Sequence, residues 1–70
     1  MSKDFIYLQG IVKEVLPNNF FKVKINENYE ILGIPSGKMK MNKIKILCGD
    51  KVKVEISPYD LTKGRIIWRG

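Results

Sequence analysis

SGKMKMNKIKILCG, residues 36–49, is the stretch on which the fold turns. It joins two β-like regions, and a connection of 14 residues is uncommon in a compact domain, where it is usually either functional or disordered. Met39, Met41, Ile44, Ile46 and Leu47 supply apolar anchors that a solvated linker lacks, so order is expected. Ser36 is placed to cap a helical turn over Gly37–Met41, and Ile44–Leu47 is expected to return to the body of the domain. Lys38, Lys40, Lys43 and Lys45 have no acidic residue among them, which gives the stretch +4 of the chain's net +6. An anchored, wholly cationic loop points to an anionic partner.

The flanking sequence reads as strands. Phe5–Leu16 is a long one interrupted by Gly10, where a bulge or bend would let a single strand serve two sides of a small barrel. Pro17-Asn18-Asn19 is turn chemistry, since proline fixes φ and asparagine tolerates the left-handed region. Phe20–Asn26 alternates cleanly, with Phe21, Val23 and Ile25 on one face and Lys22 and Lys24 on the other. Tyr29–Ile34 follows a short Asn26–Asn28 turn and is closed by Pro35. Gly49-Asp50 launches Lys51–Ser57, in which Val52, Val54 and Ile56 face one way and Lys51, Lys53 and Glu55 the other. Pro58–Gly64 reads as a connection, with Asp60 stabilising a turn, and Arg65–Arg69 as the last strand.

Five short strands, a kinked first strand and a helical connection between the third and fourth describe an all-β protein: one five-stranded OB-fold barrel over residues 1–70. An SH3-like barrel has a similar strand count. The long connection after the third strand favours the OB-fold, because that is where this barrel carries its helix.

Seventy residues allow a modest core and little room for a deep catalytic cleft. Thirteen Lys+Arg against seven Asp+Glu is the electrostatic footprint of a polyanion binder, nucleic acid being the commonest such partner. No histidine is present, so hydrolytic nucleophiles lose their usual base, and one cysteine with no histidine gives no metal-ligand spacing. Enzymatic activity, a metal and a cofactor are therefore not expected. Cys48 reads as a small filler beside the barrel mouth. No apolar run approaches 18 residues, and Met1–Asp4 is polar with no signal-type core behind it, so no membrane partner is expected. Eleven lysines to two arginines, with abundant isoleucine and asparagine, fit an AT-rich genome.

Nucleic-acid binding needs cations for phosphates and exposed aromatics for unpaired bases. Lys22 and Lys24, Lys51 and Lys53, and Arg65 and Arg69 form three outward pairs that can make a partial belt, although a charged strand face is also the ordinary route to solubility. Phe21 reads as core and Phe20, on the lysine face, as a candidate stacking platform. Tyr59 can stack on a base or pack on the barrel end. Trp68, in register with Ile66, reads as core, and Met39 and Met41 as plugs for the open barrel end.

SGKMK followed by GDKVKVEISPYDLTKGRI resembles bacterial-type translation initiation factor one, an S1-like OB-fold family whose pattern runs through Ser-Gly-Lys-Met-Arg, Ile-Arg-Ile, Gly-Asp-x-Val-x-Val-Glu and Pro-Tyr-Asp-Leu-x-x-Gly-Arg-Ile. The resemblance covers nearly the whole chain, including Gly10-Ile11-Val12 and Leu16-Pro17. It implies a non-enzymatic, monomeric factor at the A site of the small ribosomal subunit. There it would contact rRNA and a neighbouring ribosomal protein and assist the other two initiation factors in start-codon selection. By position, Lys38, Met39 and Lys40 would insert against rRNA, with Lys43 beside them, and Lys45, Arg65 and Arg69 would contact phosphates or bases on the same face. Lys40 and Lys45 stand where the family usually has arginine, and lysine's point charge does not reproduce arginine's planar fork. Ile34 and Pro35 replace a stretch that often contains histidine. A copy without a transit peptide fits either a plastid or an AT-rich bacterium, hence the stroma or the bacterial cytoplasm. Two other readings are a cold-shock-like single-stranded RNA chaperone and a protein-interaction barrel whose lysines only solubilise it.

Overall fold

The computed structural model describes residues 5–42 and 44–70, so the expectations for Met1–Asp4 and Lys43 lie outside the described residues. Five strands, β1 (Ile6–Leu16), β2 (Phe20–Asn26), β3 (Tyr29–Pro35), β4 (Lys51–Ser57) and β5 (Asp60–Arg69), close into a barrel in the order β1-β2-β3-β5-β4. One short helix, α1 (Gly37–Met41), lies between β3 and β4. This is the OB-fold expected from the sequence. All strand pairs are antiparallel except β3 with β5, which run parallel.

β1 serves two sides of the barrel. Its first half, Ile6–Ile11, pairs with β4, and its second, from Ile11 to Leu16, pairs with β2, so Ile11 stands opposite both Lys51 and Lys24. The irregularity falls at Lys13, between Val12 and Glu14, and not at Gly10 as the pattern suggested. Gly10 instead permits close approach: a Cβ there would stand 2.5 Å from Val23 Cγ1 and 2.9 Å from the Lys24 carbonyl oxygen. At the end of β1, Asn18 and Asn19 adopt φ of 62° and 66°, the left-handed conformation expected of them.

Alternation places the core. Val12, Phe21, Val23, Ile31, Val52, Val54, Ile56 and Ile66 are buried inside the barrel, and Met39 and Ile46 join them from the connection between β3 and β4. Each such aliphatic side chain contributes about 1.5–3 kcal/mol by leaving water.

Three strand boundaries differ from the sequence reading, the first only in that β1 begins at Ile6 and not Phe5. β3 includes Pro35, opposite Ile66, and the ladder continues one residue later, where the Ser36 amide donates to the Ile66 carbonyl at 2.9 Å. β5 begins at Asp60: Ser57 faces Asp60 across a two-residue turn, Pro58-Tyr59, and Lys63 and Gly64 pair with Leu32 and Gly33 of β3. Those partners are about thirty residues away in the chain, so Pro58 and Gly64 look locally like the ends of a loop. Asp60 stabilises the start of β5 as expected, its Oδ1 accepting from the Thr62 amide and hydroxyl.

Trp68 is not core. Val54 pairs with Ile66 but Lys53 with Trp68, so Ile67 is an extra residue that reverses the inward–outward alternation. Ile66 is buried and Trp68 is 55% exposed on the face of Lys53. The same bulge separates Arg65 from Arg69, which therefore do not form one outward pair.

Candidate nucleic-acid interface

α1 is built on its N-cap. The Ser36 hydroxyl accepts from the Met39 amide at 3.2 Å, and Lys40 and Asn42 donate backwards to the Ser36 and Lys38 carbonyls at 3.0 Å each. A single turn has little stability of its own; packing holds this one. Met39 points into the barrel end and keeps only 3% of its surface exposed, while Met41 is 83% exposed. The plug expected of both methionines is therefore Met39 alone. In this conformation Met39 has almost no surface left for rRNA and acts as the anchor that turns Lys38 and Lys40 outward.

The second half of the connection is pinned rather than strand-like. Ile46 is buried and Ile44 and Leu47 stay partly exposed. The Leu47 amide donates to Asp50 Oδ2 at 2.8 Å, Gly49 turns at φ +94°, and its amide donates to the Val12 carbonyl at 2.7 Å. Arg69 Nη1 donates to the Lys45 carbonyl at 2.9 Å and lies 3.6 Å from Asp50 Oδ2. Asp50 thus holds the turn and the arginine together, a role that only its place after Gly49 hinted at. Cys48 is exposed, its thiol donating to the Lys13 carbonyl at 3.1 Å, so it is not the filler expected.

Between α1, this segment and the start of β2 runs a groove of about 680 Å³ with an apolar floor that includes Val15, Phe21, Met39 and Ile46. Lys40 and Lys45 line it together, as does Asn19, a residue the sequence reading did not single out.

The remaining candidates lie elsewhere. Arg65 is held by Glu55, Nη2 to Oε1 at 2.6 Å and Nε to the same oxygen at 3.1 Å, and Tyr7 donates its hydroxyl to Glu55 Oε2 at 3.2 Å. That hydrogen bond raises the Tyr7 phenol above its ordinary value. Arg65 is thus partly neutralised and does not reach the Lys45–Arg69 cluster. Phe20 is half-buried beside the β1–β2 turn, near the groove. Tyr59 is 97% exposed at the tip of the β4–β5 turn, at the opposite end of the barrel. Lys13 and Glu30 pair at 2.7 Å; each stabilises the other's charged form, raising the lysine and lowering the carboxyl. Of the expected belt, Lys22 is paired loosely with Glu14 at 3.7 Å.

The sequence profile of translation initiation factor 1A / IF-1 matches residues 6–70. The chain belongs to that family. A solved relative, the solution structure of translation initiation factor one from the Wolbachia endosymbiont strain TRS of Brugia malayi, is 44% identical. The match covers 99% of this chain and 82% of that one with a TM-score of 0.81. Within the family, then, this chain keeps the barrel and the helix between β3 and β4. Membership makes it a protein of translation initiation, associated in general with the ribosome.

Proposed function

We propose that the protein acts by occupancy, without catalysis, at the A site of the small ribosomal subunit, and there assists the other two initiation factors in start-codon selection. Lys38, Lys40 and Lys45, with Arg69, meet rRNA phosphates; Lys43, in the same stretch of sequence, adds a further cation. Met39 serves this contact by anchoring the helix, and Arg65 contributes from a neighbouring face when Glu55 releases it. Phe20 is the better placed stacking residue, and Tyr59 would have to meet a different strand of RNA or a neighbouring ribosomal protein. The reading holds for a bacterial cytoplasm and for a plastid stroma alike, since either contains small subunits of bacterial type.

One observation carries the reading: a helix too short to stand alone is capped and plugged, and the connection after it is pinned, so that lysines of both face outward beside a groove. With lysine where the family usually has arginine at Lys40 and Lys45, more of the affinity is charge and less is planar stacking.

Sedimentation with isolated small subunits tests it. Wild type should co-sediment, and about four phosphate contacts should weaken binding roughly a hundredfold between about 50 and 200 mM salt. Lys38→Glu/Lys40→Glu should abolish co-sedimentation while keeping its circular dichroism. Unchanged binding by that variant would leave the protein-interaction barrel standing instead.

A further inference from the structure

A second surface shares no lining residue with the groove. On the outside of the barrel, cross-strand pairing sets Gln9, Lys53 and Trp68 in one row and Ile11 beside Lys51 in the next. Where β1 passes from β4 to β2, the two partner strands diverge and leave a recess of about 440 Å³ over Ile11 and Ile25. Lys24 and Lys51 flank it, with Glu27 also on its rim. Neither Lys24, Lys51 nor Lys53 lies within ion-pairing distance of a carboxylate among the described residues, whereas Lys13, Lys22, Arg65 and Arg69 each have one. Trp68 is 55% exposed and Ile11 49%.

We propose that this outer face of β5, β4 and β1, continued onto β2, binds single-stranded RNA, with a base stacked on Trp68 and the adjoining phosphates on Lys53, Lys51 and Lys24. Three features favour RNA over a protein. Lys51 and Lys53 have no carboxylate within ion-pairing distance among the described residues, and Lys24 alone faces one across its strand pair, Glu30. Lys53 stands about one strand spacing from the indole. Lys53, Lys51 and Lys24 follow one another along the diverging strands as a backbone would. A face that only solubilised the barrel would have no use for an indole turned outward by a bulge. The surface differs from the groove in position and residues, so it stands or falls separately from the A-site reading.

Trp68 is the chain's only tryptophan and reports directly. Titrating the full chain with octauridylate at low salt should quench its emission, and Lys51→Glu/Lys53→Glu should weaken that binding about tenfold or more. Lys22→Glu/Lys63→Glu, which removes the same net charge elsewhere, should weaken it far less. With end-labelled octauridylate, Trp68→Leu should lose at least about fivefold in affinity by anisotropy while retaining its thermal unfolding transition. Equal losses in the two charge-matched variants would overturn the proposal, leaving only long-range attraction. So would labelled RNA that binds with no change in Trp68 emission, or polyglutamate quenching as well as RNA, which would make the face a protein-docking surface.

Discussion

Arg69 and Lys45 are joined side chain to main chain: the guanidinium donates 2.9 Å to the Lys45 carbonyl, 24 residues earlier in the chain. Because the bond uses the carbonyl, the Lys45 ammonium stays available to a phosphate. The end of β5 thereby fixes the path of the cationic connection, with Asp50 completing the clasp.

Arg69→Ala should therefore loosen the connection more than the barrel. Amide exchange across residues 44–50 is expected to speed up severalfold, with a global stability loss of roughly 1 kcal/mol or less, as for a solvent-exposed polar contact. Hydrogen exchange read residue by residue checks both. Uniform acceleration throughout the barrel would contradict the clasp.

The two methionines of α1 should behave oppositely. Met39→Ala removes a buried plug and should cost about 2–5 kcal/mol, enough to lower the melting temperature by roughly 10 °C or more in a domain this small. Met41→Ala, at an exposed site, should stay within about 0.5 kcal/mol. Denaturant unfolding of the pair measures the contrast.

Gly33 and Gly64 face each other across the parallel β3–β5 seam. A methyl on Gly64 would stand 2.7 Å from Ile31 Cδ1 and 3.1 Å from Ile56 Cγ1. Gly64→Ala should cost about 1–3 kcal/mol through overpacking. Gly37→Ala meets nothing within 4 Å and should stabilise α1 by up to about 1 kcal/mol. Thermal melts of the two variants should move in opposite directions.

Acid should weaken the fold through identifiable carboxyls. The Thr62 hydroxyl, and then its amide, hold Asp60 below its ordinary value of 3.8, and Lys13 holds Glu30 below 4.5. Since both folded values lie below the unfolded ones, their contribution is fully present above about pH 5 and is lost as pH falls through the folded values. Asp60→Asn with Glu30→Gln should flatten the dependence of melting temperature on pH below about pH 4.5. An unchanged slope would show that other carboxyls carry it.

Much of this architecture was legible because its signals are local. The period-two alternation of Phe20–Asn26 and Lys51–Ser57 and the serine before Gly37–Met41 each mark an element within a few residues, and all three fall where expected. What escaped depends on distant partners. Asp60–Gly64 is strand because β3 lies beside it, Trp68 turns outward because Ile67 has no counterpart on β4, and Arg65 is engaged because Glu55 faces it. The lysines of the connection were visible as charge. Which of them share a groove, and that Met39 is their anchor rather than their companion, required the barrel end to be assembled.

Closure of the barrel through β1 has one further consequence. A sheet with a free border can recruit another chain by adding a strand, through main-chain bonds that are indifferent to sequence. Here β1 is flanked by β2 and β4 and the seam of β3 with β5 closes the circuit, so the described strands offer no such border. Strand addition is thus closed to a partner at the described strands, and selectivity there rests on which few residues the strands and α1 turn outward.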